Sequence, residues 1–122
     1  MKANELRIGN LVQHEFGKIR YGIVTQINDS AVRLKTKFSR LLVSYKDIEP
    51  IPLTEEWLIK LGSKSFLDFY LYDRFKLTYL SQYKYWYIQD TETNCYMTKI
   101  EFVHDWQNFI FVMNSEELKI IH

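Results

Sequence analysis

Apolar and polar positions change their period along the chain, and each change marks a new element. From Ala31 to Arg40, Val32, Leu34, Thr36 and Phe38 alternate with Arg33, Lys35 and Lys37, the period of a half-buried strand with one wet face. Before it, Leu11–Glu15 reads as a short strand and Phe16-Gly17 as a turn. Lys18 to Asn28 reads as a second strand, with Gly22 expected to mark a bulge or sharp bend. Asn28-Asp29-Ser30 has turn chemistry. Leu41–Tyr45 is expected as a fourth strand, followed by a tight turn at Lys46-Asp47-Ile48.

The segment from Ile51 to Gly62 carries the signals of a short, bounded helix. Thr54 suits the N-cap, where its hydroxyl accepts a backbone N–H, and Glu55 and Glu56 favour the positive end of the helix dipole. Gly62 can take the left-handed conformation that closes a helix, while Pro50 and Pro52 keep the preceding chain extended. Strands return at Ser65–Tyr72, Phe75–Leu80, Tyr83–Gln89 and Cys95–Phe102, with a turn at Asp73-Arg74 and a polar loop at 90–94. Near Val103 the period becomes helical. Val103, Trp106, Ile110 and Met113 form one stripe, widened by Phe102 and Phe109, and Asn114-Ser115 would end it. Glu117–Ile121 then reads as a closing strand or tail.

Short bent strands spaced like Ile8–Val12, Gly22–Ile27 and Val32–Leu34 resemble the small SH3-like barrels, a fold that does not determine function. The expectation is therefore an α+β fold in one domain over residues 1–122. Residues 1–49 would form an SH3-like antiparallel β-subdomain, 50–62 a Pro-bounded helix, and 63–122 an aromatic-rich antiparallel sheet with one packed helix. Trp57, Leu58, Leu61, Val103, Trp106 and Ile110 are expected to anchor the core.

Composition narrows the class. An apolar fraction of 47% with 25% charged residues is that of a folded globular chain rather than a disordered one. Nine Tyr, eight Phe and three Trp favour strands and large buried contacts, and such rings also populate binding surfaces. The net charge of +1 is uneven: residues 1–49 hold nine Lys/Arg against five Asp/Glu, and the remainder is acidic. Cys95 is the only cysteine, which excludes an intramolecular disulfide scaffold. The first seven residues lack the apolar stretch of a signal peptide, and the longest apolar run, Phe109 to Met113, is too short to span a bilayer. A cytoplasmic protein without a membrane partner is the simplest expectation.

Three segments together resemble a widespread family of short, uncharacterised proteins from gut Bacteroidetes and their mobile elements or prophages. They are Met1–Val12 (MKANELRIGNLV), Ile48–Leu58 (IEPIPLTEEWL), and Val103–Phe109 (VHDWQNF) followed by Glu116-Glu117-Leu118. The family more often has Leu at the position of Trp106 and Thr-Gly in place of Asn114-Ser115. The resemblance implies a genomic setting and no mechanism.

Candidate chemistry is sparse. His104-Asp105, with Glu101 nearby, is the one acid–base candidate; Asp105 also suits a helix start, and no nucleophile is spaced to join it. His14, His122 and Cys95 lack metal-ligand spacing, so no metal or small-molecule cofactor is expected. Gly9, Gly17, Gly22 and Gly62 are isolated and build no phosphate loop, and Ser39 and Ser44 lack a nucleophile elbow.

Two surfaces remain. Arg33, Lys35 and Lys37, flanked by Arg20 and Arg40, form a basic strand face suited to backbone phosphates, although no aromatic is identified there for base stacking. Phe75, Leu77 and Tyr79 share one face of a strand. Tyr83, Tyr85 and Tyr87 share a face opposite Trp86 and Ile88, so one aromatic set must be left partly exposed. The leading expectation is a non-enzymatic interaction or adaptor module that uses Tyr83, Tyr85 and Tyr87 to bind a protein partner or itself. Nucleic-acid binding through the basic strand is the alternative, and an enzyme at His104/Asp105 a distant third.

Overall fold

The alternation in the first fifty residues folds into a five-stranded antiparallel sheet. Its strands are β1 (Leu11–Phe16), β2 (Lys18–Ile27), β3 (Ala31–Lys35), β4 (Arg40–Ser44) and β5 (Ile48–Glu49), in spatial order β4-β3-β2-β1-β5. The coordinates are a computed structural model that describes residues 1–16 and 18–121, with residues 15, 16 and 18–20 described by backbone alone. The turn expected at Phe16-Gly17 lies outside the described residues. A 3-10 turn at Tyr45–Asp47 redirects the chain so that β5 returns to β1. The result is a half-barrel, in keeping with the SH3-like expectation. Leu6, Val12, Val24, Val32, Leu34, Val43 and Ile48 fill its core.

Two local expectations are corrected. The strand expected from Ala31 to Arg40 breaks after Lys35. Thr36 donates its N–H to the Ser39 carbonyl (2.8 Å), and the Thr36 hydroxyl accepts the Ser39 N–H (3.1 Å). The backbone bond and the hydroxyl bond together close a tight turn, a competition with the strand ladder that Ser and Thr often win. Lys37 and Phe38 therefore sit in a turn, and Phe38 is 86% exposed instead of buried. The β2 bulge lies between Val24 and Gln26, not at Gly22. Gly22 keeps regular register with Val12; a Cβ there would stand 3.1 Å from the Leu34 Cβ, so its role is close packing.

Chain contacts divide the protein into two compact units. The first comprises Met1–Pro52 and Phe102–Glu117, and so includes the long helix α2 (Val103–Asn114; named here ahead of the shorter α1). The sequence suggested this helix for the C-terminal sheet; side-chain hydrogen bonds attach it to the segment around β1. Gln107 Oε1 accepts the Leu11 N–H (2.7 Å) and Gln107 Nε2 donates to the Gly9 carbonyl (3.1 Å). Asn108 Oδ1 accepts from Arg7 Nε (3.1 Å) and from Asn10 Nδ2 (2.8 Å). Arg7 reaches past the helix C-terminus to a two-pronged ion pair with Glu117, and its guanidinium lies 4.1 Å from the centre of the Phe111 ring. Gly9, at φ +101°, passes so close to Glu117 that a Cβ would stand 2.8 Å from its carboxyl carbon. Asp105 starts the helix by accepting the Phe102 N–H (3.1 Å), and Ser115 ends it in the left-handed conformation. Val103, Trp106 and Ile110 are buried along the expected stripe.

The second unit comprises Leu53–Glu101 and Leu118–His122. It opens with α1 (Glu55–Lys60), where Thr54 caps as expected, its hydroxyl accepting the Trp57 N–H (3.3 Å). Gly62 follows at φ +99°. Leu58 and Leu61 are buried, but Trp57 is only half-buried, its ring held under Lys60 Nζ at 4.9 Å. The strand expected over Ser65–Tyr72 is instead a small hairpin of β6 (Lys64–Ser65) and β7 (Tyr70–Tyr72), turned by Phe66 N–H donating to the Phe69 carbonyl (2.9 Å). β8 (Phe75–Leu80), β9 (Tyr85–Asp90) and β10 (Cys95–Ile100) complete the antiparallel sheet in order β10-β9-β8-β7-β6. Phe75, Leu77, Trp86, Ile88 and Ile100 line its buried face, and Trp86 Nε1 donates to the Leu53 carbonyl (2.7 Å). Residues 118–121 form no strand; Ile121 N–H bonds to the Lys60 carbonyl.

Gln107 is fully buried, so its removal tests the clamp directly. Gln107→Leu keeps the volume but leaves the Leu11 N–H and Gly9 carbonyl without this partner, at about 1–3 kcal/mol each. Urea denaturation is expected to show a midpoint lowered by about 2–4 kcal/mol of stability with an unchanged slope.

Candidate functional site

The wet face of the first sheet gathers three of the cations that the sequence singled out, Arg33, Lys35 and Arg40. Arg33 and Lys35 point outward from β3 between buried Val32 and Leu34, as the period of two requires. Register adds what periodicity could not show: Lys35 lies directly opposite Arg40 on β4, and opposite Ile23 on β2. Arg33 lies opposite Leu42 and Gln26. Two rows thus cross three strands, Ile23–Lys35–Arg40 and Gln26–Arg33–Leu42. Tyr21 continues the same face along β2, toward the turn that holds Lys37 and Phe38. Lys37 Nζ lies 5.5 Å from the Phe38 ring centre. The Arg20 side chain lies outside the described residues.

Two features describe the charge of this face. Between Lys18 and Ser44 the sequence has six Lys/Arg and one acidic residue, Asp29, so β2, β3 and β4 contain no carboxylate at all. Among the described residues, Arg33, Lys35 and Arg40 have no ion-pair partner. The same holds for Lys76 and Lys99 of the second sheet, whereas Arg7, Lys60 and Arg74 each meet a carboxylate. Like charges directly opposite on neighbouring strands are unfavourable, so the Lys35/Arg40 apposition costs stability. Large apolar groups share the surface: Tyr21 is 43% exposed, Ile23 40% and Leu42 58%. The sequence reading missed Tyr21 as an aromatic of this face and Phe38 as a ring exposed in the turn at its end. The Thr36/Ser39 turn chemistry was the signal that would have freed Phe38 from the buried row.

The second sheet presents a different surface. Its wet face carries Tyr85 and Tyr87 on β9, with Thr78 and Leu80 opposite on β8 and Lys99 opposite Tyr87 on β10. Trp86 and Ile88 point into the buried face, which establishes the aromatic set left half-exposed. Tyr83 sits in the preceding turn and stacks on Tyr85 (5.7 Å), and Tyr87 stacks on Tyr96 (4.9 Å). Lys99 lies 5.0 Å from the Tyr85 ring centre and Lys76 4.6 Å from that of Phe69. Rings and cations here already engage one another. The only carboxylate within β6–β10, Asp90, is buried and paired with Arg74 (3.3 Å).

His104 and Asp105 are adjacent, with Nε2 3.5 Å from Oδ1. Asp105 is engaged at the helix start, and His104 is 5% exposed, stacked on Phe102. Among the described residues, no group of three or more His, Cys, Asp or Glu side chains is placed to hold a metal ion, and Cys95 is an exposed thiol on β10. No helix of the described residues is long and apolar enough to cross a membrane.

Burial pushes the His104 pKa below its ordinary value near 6.5, against the upward pull of the Asp105 and Glu5 carboxylates, and burial lowers that of His14 in the same way. Each histidine therefore binds its proton more readily in the unfolded chain, and stability must fall as pH drops through the unfolded value. Thermal unfolding at stepped pH is expected to show little histidine-linked change above about pH 7.5 and a loss from about pH 7 to 5. His104→Asn should flatten part of that slope. Comparison of the chain with family models, curated proteins and solved structures finds no match.

Proposed function

We propose that this chain is a non-enzymatic interaction module that binds the phosphate backbone of nucleic acid through the wet face of its first sheet. The observation that carries the reading is the Lys35/Arg40 apposition, beside Arg33, on strands that contain no carboxylate. A merely solvated strand face gains from mixed charges, and cross-strand opposite pairs contribute about 0.2–1 kcal/mol each. A row of unpaired cations forgoes that gain and suits a polyanion. Same-face neighbours along a strand stand about 7 Å apart, a spacing comparable to that of successive phosphates. The resemblance to proteins of mobile elements and prophages offers a setting in which foreign or replicating nucleic acid is at hand.

The test exploits the conflict between stability and binding. Lys35→Glu converts the like-charged pair into an opposite one, so the variant is expected to unfold at higher denaturant, by a few tenths to about 1 kcal/mol. The same variant should lose oligonucleotide affinity. For three phosphate contacts, log Kobs against log salt should have a slope of about −2 on a single strand, and Arg40→Ala should make it shallower by about 0.7. Binding that ignores salt would sink the reading.

A second reading concerns the tyrosine face, favoured by four rings, Tyr83, Tyr85, Tyr87 and Tyr96, standing half-exposed or exposed in two stacks. Such rings are typical anchors of protein contacts, so this face is proposed to meet a protein partner or a second copy of the chain. Tyr85→Ala with Tyr87→Ala is expected to weaken self-association measured by sedimentation at least tenfold. Wild-type protein that stays monomeric at high concentration would leave only an outside partner for this face.

A further inference from the structure

We infer that the first-sheet face selects single-stranded nucleic acid, holding the backbone on Arg33, Lys35 and Arg40 while bases stack on Phe38 and Tyr21. The inference rests on the phosphate-binding reading above and names its ligand class. Phe38 projects from the β3–β4 turn at 86% exposure, the most exposed aromatic among the described side chains of the first unit, on the hairpin whose first paired residues are Lys35 and Arg40. Nothing in the half-barrel core uses this ring. On β2, Tyr21 lies two residues beyond Ile23, which pairs with Lys35, so it too stands at the turn end of the cationic rows.

A duplex hides its base faces within its own stack and would offer these rings only an edge or a groove wall. An unpaired strand exposes base faces that any aromatic can cover, and its phosphates follow a flexible path that two short cationic rows can track. Ile23 and Leu42, exposed between the cations, supply apolar contact for sugars and base edges without adding a competing charge. Charge complementarity on the face and exposed rings at its turn end thus point to the same occupant.

The experiment is fluorescence anisotropy with a labelled mixed-sequence oligonucleotide of about 12 residues and its duplex, at about 50 mM salt. Single-strand affinity is expected to exceed duplex affinity about tenfold. Phe38→Ala should erase most of that preference while leaving duplex binding and the melting temperature unchanged, since the ring is outside the core. Phe38→Trp should restore single-strand binding, with tryptophan fluorescence quenched as a base stacks. Equal affinity for the two forms, or a Phe38→Ala variant that binds like wild type, overturns the inference. If Arg33→Ala, Lys35→Ala and Arg40→Ala together still abolish binding, the phosphate reading survives that failure. Absence of binding to either oligonucleotide overturns both. Binding lost in Tyr85→Ala/Tyr87→Ala but retained in the triple variant moves the site to the tyrosine face and overturns this one.

Discussion

The first unit depends on the polar clamp between Arg7, Gly9, Asn10 and Leu11 and the residues Gln107, Asn108 and Glu117 about a hundred positions later. Helix α2 has no covalent reason to join a sheet built from the first fifty residues, and an apolar stripe alone would leave its position along β1 loosely defined. Hydrogen bonds from Gln107 to one backbone N–H and one carbonyl determine that position, because a slip by one residue would leave buried polar groups unmatched. The Arg7–Glu117 pair extends the clamp past the helix end, and Gly9 admits it by lacking a Cβ. The N-terminal segment and residues 103–117 form the clamp, and in the same unit the Ile51 carbonyl accepts the Val103 N–H (2.8 Å). Arg7, Gly9, Asn10, Gln107, Asn108 and Glu117 thus have a packing role.

Local chemistry made much of the fold legible. Thr54, the acidic pair after it and Gly62 bound α1 as read, because capping involves only residues within one turn of each other. The stripe Val103, Trp106, Ile110 located α2 for the same reason. What escaped was set by turns without Gly or Pro and by long-range register. Hydroxyl bonds close the Thr36–Ser39 turn, and Phe66–Phe69 turns within an apolar run, so each hairpin reads in sequence as one continuous strand. Missing the first turn placed Arg40 at the end of a row instead of opposite Lys35, and hid Phe38 in the core. The partners of Gln107 and Asn108 were invisible because nothing local announces a contact across so many residues.

The two wet faces show why exposure alone does not identify a binding surface. On the second sheet, tyrosines stack in pairs and Lys99 covers Tyr85, so much of the ring area and part of the charge are satisfied within the chain. A partner there must displace or extend contacts that already exist. On the first sheet, Arg33, Lys35 and Arg40 have no ion-pair partner among the described residues, and Lys35 and Arg40 oppose each other. Folding leaves that repulsion in place; under the proposed function an arriving polyanion would relieve it, so the residues that weaken the free protein would strengthen the complex. Salt would then act oppositely on the two states, screening the repulsion in the free chain and competing for the cations in the proposed complex. Residues that lower stability without serving the core are where function is most economically sought, and in this chain they lie across β3 and β4.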